Sequence, residues 1–167
     1  TFKVNLKRFQ KIVKRQHDLL HSSGLWKAAY GIHIGMIGEV ELPTHIAENI
    51  TTSSHVKIFA HVPYGDESVT TTYMRELCRL RYWSKQKQHN SNHNDMVLYF
   101  HSRGVSHPFD HPTHEWTYAM EYFVIQQWIS ASSIIYSGAD TAGCQKVVVD
   151  CILHYSGNFF WASVDYI

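Results

Sequence analysis

Apolar side chains return every three or four residues between Leu6 and Leu20. Leu6, Phe9, Val13, Gln16 and Leu20 share one face, with Ile12 and Leu19 beside them. That period predicts an amphipathic helix over residues 6–20. Lys7, Arg8, Lys11, Lys14 and Arg15 fall mostly on the other side. A solvated face explains them first; a phosphate or anionic membrane surface is the alternative. Ser22-Ser23-Gly24 closes the helix, with Gly24 able to take the left-handed cap. Residues 28–37 (AAYGIHIGMI) read as a strand. Residues 43–54 read as irregular or as a short helix. The alternation in 55–62 (HVKIFAHV) predicts a second strand, stopped by Pro63. After a turn at Tyr64-Gly65-Asp66, a helix runs over 67–85, with Val69, Tyr73, Leu77 and Leu80 inward.

The polar stretch 86–95 reads as an exposed loop. Met96 to Phe100 (MVLYF) is an unbroken apolar run, which suits a strand covered on both faces in the middle of a parallel sheet. Residues 105–114 read as a loop holding two prolines and three histidines. A long helix is predicted from 114 to 135, with Trp116, Met120, Phe123, Val124, Gln127, Trp128, Ala131 and Ile135 on its core face. Tyr122, Ile125 and Ile129 widen that face, which predicts a buried helix. Ser137-Gly138 breaks it. A short strand near 146–150 and an aromatic tail, HYSGNFFWASVDYI, complete the chain. Strands alternating with helices predict an α/β domain with crossover helices over residues 1–167.

Composition narrows the class. The 167 residues are 44% hydrophobic and 17% charged, enough apolar material for one domain with a real core. A net charge of +1 gives no electrostatic case for a nucleic-acid partner. Thirteen histidines make the charge responsive near pH 6–7. Three cysteines, Cys78, Cys144 and Cys151, with no CxxC pair argue against a disulfide framework and against a cysteine zinc site. No apolar run reaches the roughly 18–20 residues of a membrane span. There is no GxGxxG, P-loop or GxSxG.

Candidate chemistry begins at the end of the most apolar strand. Ligands of open α/β sheets bind beyond strand carboxyl ends. His101, Ser102, Arg103 and Gly104 follow Phe100 directly. Arg103 suits a diphosphate, His101 a metal or a hydrogen bond, and Gly104 close backbone approach. An ordinary strand-end turn accounts for the same residues. His107, His111 and His114 raise zinc. Their spacing fits no compact motif, and surface loop histidines are the simpler reading. In the tail, His154, Ser156, Gly157 and Asn158 are small or polar and stand before Phe159-Phe160-Trp161. Aromatic faces stack on sugars while Asn and His meet the hydroxyls. At least one of these aromatics is expected in the core on any reading.

Five segments carry a resemblance. Val97 to Gly104 (VLYFHSRG) resembles the VLYxHTKG segment of small glycosyltransferase-like proteins found in large algal viruses, bacteria and eukaryotes. The tail resembles their HYSGNFWWAxxxYI ending. Ser22 to Gly38 is similar to their SGLYxxxxxIxIGxxG. Glu115-Trp116, Met120, Glu121-Tyr122-Phe123 and Trp128 resemble their intervening helix, and Asp140-Thr141-Ala142-Gly143 their DTxG. The match runs nearly the whole chain, in order. It implies a GT-A-like, Rossmann-related fold with a mixed, mostly parallel sheet flanked by helices. It also implies a nucleotide-sugar donor, a UDP-sugar first, and transfer of the sugar to a glycan or protein hydroxyl.

Carried over by position, His101, Ser102, Arg103 and Gly104 take the donor and diphosphate role, with His101 the candidate metal ligand. His154, Ser156, Gly157, Asn158 and Trp161 take the sugar or acceptor role. Mn²⁺ or Mg²⁺ is the implied cofactor, although the chain has no Asp-x-Asp. Arg103 stands where the family has Lys, and Phe160 where it has Trp. The family places a strand before the first helix. Here only five residues precede it, so a piece of a longer chain is expected. An inverting reaction needs a carboxylate base, for which Asp140, Asp165 and Glu115 are candidates, Asp140 first. Two other readings stand beside the enzyme. One is a non-catalytic subunit of the same fold in a larger assembly; the other is a histidine-based metal hydrolase.

Overall fold

The computed structural model describes residues 6–39, 41–88, 95–102, 113–144, 146–149, 152–155 and 158–167. The chain divides into two compact units, one of residues 1–71 and 102–114, the other of 72–101 and 115–167.

The first unit opens with α1 (Leu6–Ser22), whose buried row is Arg8, Ile12, Gln16 and Leu20. The helix is the expected one, rotated slightly: Leu6 is 44% exposed and Arg8, expected among the outward cations, is buried. A long Arg side chain can lay its methylenes on apolar surface in this way. Gly24 takes φ 78 and starts the one-turn helix α2 (Leu25–Ala28), so Ala28 belongs to a helix and β1 starts only at Ile32 (Ile32–Ile37). Pro43, lacking an N–H that a helix start leaves unpaired anyway, leads into α3 (Thr44–Thr52), which buries Ile46 and Ile50. Then β2 (Val56–Val62) lies parallel to β1, with a register shift between Ile34 and Gly35. A parallel pair requires a crossover, and α3 supplies it. A Cβ at Gly35 would lie 2.8 Å from both Phe59 Cζ and Thr70 Oγ1, so only glycine fits without displacement. Asp66 Oδ1 accepts from the Ser68 amide at 2.8 Å, capping α4 (Ser68–Gln88).

Most of α4 belongs to the second unit. The helix continues through Gln88, beyond the expected end at Lys85. It buries Cys78, while Leu80, expected inward, is 60% exposed. The strand β3 (Met96–Tyr99) pairs antiparallel with β7 (Phe160–Ser163), which pairs antiparallel with β4 (Thr141–Gly143). This corrects the expected parallel neighbours of residues 96–100. An apolar run reports burial, not the direction of the partner. Among the described residues β1 and β2 are the parallel pair, and β5 (Lys146–Val149) and β6 (Ile152–Tyr155) form an antiparallel hairpin. The domain is therefore mixed α/β, with less parallel pairing than expected.

The long helix predicted over 114–135 is interrupted. A π turn at Tyr122–Gln126 separates α5 (Thr113–Glu121) from α6 (Trp128–Tyr136), and the Gln127 amide bonds Tyr122 O at 2.9 Å. The wider turn brings Val124 and Ile125 inward together, both fully buried. It also turns Phe123 and Gln127 outward, where uniform 3.6-residue spacing would place both in the core. Tyr122 and Ile129, expected to widen the apolar face, are exposed as well. Met120, Val124, Ile125, Ile135, Phe159 and Ala162 form the heart of this unit.

Candidate functional site

In the second unit the two strongest motif segments meet. Because β7 runs antiparallel to β3, Tyr99 faces Phe160 in register, and the chain after β3 emerges beside the chain before β7. His101 sits there, half-buried. Its ring lies 5.2 Å from the Phe159 ring, edge to face, and 6.2 Å from Tyr99, nearly parallel to it. Phe159 is fully buried and also meets Phe100 at 6.2 Å. Aromatic packing thus fixes the His101 ring from two sides. Asn158 is exposed and takes φ 56. Among non-glycine residues Asn tolerates that left-handed conformation best. The chain bends there, with Asn158 exposed and Phe159 beside it fully buried. Cys144 follows β4 at this same sheet end, and burial raises its thiol pKa.

The candidate carboxylates stand at the opposite end of the same sheet. Thr141 pairs with Ala162, and the Asp140 carbonyl accepts from the Ser163 amide at 2.9 Å. Asp165 follows β7 at that end, and Asp95, bonded through its carbonyl to the Val164 amide, precedes β3 there. Arg81 Nε reaches Asp95 Oδ2 at 3.1 Å. Asp140 and Asp165 are exposed. The length of β7 separates them from the His101 end by about 10 Å, at roughly 3.3 Å per residue. Glu115, the third candidate, is exposed on the first turn of α5.

Trp161 lies in the core at 6% exposure, its indole Nε1 donating to the Val124 carbonyl at 2.8 Å. Its ring is therefore occupied by packing, as expected for at least one aromatic of the tail. Phe160 is half-buried beside Tyr99 at 5.8 Å. Ser102 is half-buried. Arg103, Gly104, Ser156, Gly157, His107 and His111 lie outside the described residues, as does the side chain of His154 in β6. His114, expected on a surface loop, is 8% exposed at the start of α5. Among the described residues no three His, Cys, Asp or Glu side chains gather to hold a cation, so His101 has no ligand set around it there. No helix among the described residues is long and apolar enough to cross a membrane.

Two features escaped the sequence reading. Glu121, 1% exposed just before the π turn, is a buried carboxylate that helical periodicity gave no reason to single out. In the first unit an open cleft of about 540 Å³ is lined by Gln10, Lys11, Lys14, Glu41, Leu42, Pro43, Thr44 and His45. Its two lysines come from the basic face of α1, whose spacing was visible, but the partner wall from α3 was not.

No curated protein and no solved structure matches the chain. A family model does, described as a domain of unknown function (DUF8361), over residues 3–167. That span covers nearly every residue, and the chain belongs to the DUF8361 family.

Proposed function

We propose that this domain binds a nucleotide-sugar and acts as a glycosyltransferase of GT-A-like, Rossmann-related fold. The observation that carries the reading is the meeting of His101 with Phe159, next to Asn158 in the tail. The two segments of highest resemblance, 57 residues apart in sequence, converge on one sheet end. A sugar nucleotide needs what those segments offer: a cation for the diphosphate from Arg103 and hydrogen bonds from His101 and Asn158. Electrostatic stabilisation of the departing diphosphate is the contribution Arg103 makes to rate. Asp140 and Asp165 stand at the other end of β7 from His101, and no proton transfer is drawn from them. With His101 lacking a described ligand set, no step is routed through Mn²⁺ or Mg²⁺ either.

The distance of the carboxylates favours a second reading, a non-catalytic member of the same fold that binds sugar nucleotide or a glycan within a larger assembly. Calorimetric titration with UDP-sugars and other nucleotide-sugars, with and without Mn²⁺, tests both. Binding with Kd on the order of micromolar is expected, weakened about tenfold or more by Arg103→Ala or His101→Ala, a loss of about 1.4 kcal/mol or more. Turnover of the bound donor separates the enzyme from the binding subunit. A folded protein that binds no nucleotide-sugar sinks the enzyme and leaves the non-catalytic subunit.

A further inference from the structure

The first unit packs four imidazoles around one indole. His17 and His21 stand one turn apart on α1, their ring centroids 4.4 Å apart. His21 stacks on Trp26 of α2 at 4.4 Å. His17 meets the edge of Trp26 at 5.3 Å and His45 of α3 at 6.3 Å. His55, just before β2, faces Trp26 at 5.7 Å, and its Nε2 lies 3.1 Å from the Trp26 carbonyl. Trp26 itself is buried.

The charge state of His17 is written in its contacts. Its side chain is 10% exposed. Asn49 Nδ2 lies 3.3 Å from His17 Nε2. An amide NH₂ only donates, so Nε2 accepts and the neutral ring carries its proton on Nδ1. That nitrogen is buried without a hydrogen-bond partner; the Asp18 carboxylate is 3.8 Å away, beyond hydrogen-bond reach. Lys14 Nζ already holds Asp18 at 2.6 Å. The charged groups acting on His17 are Asp18 and His21 from α1 and His45 from α3. Burial, then His21 and later His45, hold its pKa below the ordinary 6.5, against the pull of Asp18. A histidine so depressed takes up its proton less readily folded than unfolded. Its neutral form is at no disadvantage well above pH 6.5, and stability falls as pH drops below that value. Protonation also turns Nε2 into a donor facing the Asn49 NH₂ 3.3 Å away, and puts a charge on a ring 4.4 Å from His21 and 6.3 Å from His45.

We infer that this corner is an acid-sensitive latch, in which the neutral His17 ring ties α1 to α2 and α3 beside Trp26 and its protonation releases α1. It stands independently of the sugar-nucleotide reading, since none of its residues belongs to the His101 end of the sheet.

Two measurements on the whole chain test it. Thermal unfolding is followed from about pH 7.5 to about pH 5.5, a range that spans imidazole titration. Tm should fall across this range, and His17→Gln should remove a clear share of that fall. His45→Gln, at an exposed position that leaves the core untouched, should remove part of it and decides the matter if His17→Gln fails to fold. His61→Gln should leave the fall unchanged. In parallel, hydrogen exchange of α1 amides, corrected for the intrinsic effect of pH, should lose protection on acidification before β1 and β2 do. An acid response undiminished in both the His17 and His45 variants, or α1 protection that does not change ahead of the strands, overturns the latch.

Discussion

At the scale of single residues, the tail shows how one motif serves two purposes. Asn158, at φ 56, is exposed at the bend, and Phe159 beside it is fully buried. Trp161, three residues on, is spent on the core: its indole N–H reaches the Val124 carbonyl at 2.8 Å, in the middle of the π turn. The sequence makes these residues equally good sugar contacts. Burial separates them, because a ring closed in by neighbours cannot stack on a ligand. Trp161→Phe should therefore destabilise the fold by about 2–3 kcal/mol, from the lost hydrogen bond and the gap left by the smaller ring. Urea unfolding monitored by far-UV circular dichroism reads this directly. A variant as stable as the parent chain, but defective in nucleotide-sugar binding, would return Trp161 to the binding surface.

Elements were legible wherever one period ruled a segment. The 3.6-residue recurrence gave α1, α4 and the outline of α5 and α6. Alternation gave β2, and an apolar run gave β3. What failed was what a period cannot encode. Residues 25–28 curl into a helical turn because Gly24 adopts the left-handed conformation, and the apolar residues that follow looked equally like a strand. The antiparallel pairing of β3 with β7 depends on a segment some sixty residues away. The π turn adds a residue to a helix whose composition does not announce it. The candidate site was legible as two segments, His101 onward and the tail around Asn158, but the distance to Asp140 and Asp165 needed the sheet. At Gly35 an element-level test is available. Here β1, β2 and the first turn of α4 close to within a methyl group of each other. Gly35→Ala should cost about 1–3 kcal/mol through overpacking. The crowding atoms belong to side chains, so Phe59→Leu in the same chain should recover part of that loss. Additive costs across this double-mutant cycle would show that Thr70 Oγ1, not the Phe59 ring, resists the methyl group.

Across the whole molecule, acidification acts through two routes that differ in their response to salt. Thirteen histidines on a chain of formal charge +1 mean that full protonation would carry it to +14, and repulsion among exposed charges opposes the compact state. Such repulsion is screened by salt, with a Debye length of about 10 Å at 0.1 M and about 3 Å at 1 M. The depression of the His17 pKa has burial as its first cause, and ions in solvent do not remove a desolvation cost. His33 on β1 is lowered by burial first and by Lys57 second, so it adds to the same unscreened share. The dependence of Tm on pH below the ordinary imidazole value should accordingly shrink between about 0.1 and about 1 M NaCl without vanishing, because surface repulsion is screened and burial is not. The remainder at high salt should drop in His17→Gln and drop further when His33→Gln is added. A pH dependence that high salt abolishes would assign the whole acid response to surface charge, with the lowered His17 and His33 imidazoles contributing nothing measurable to it.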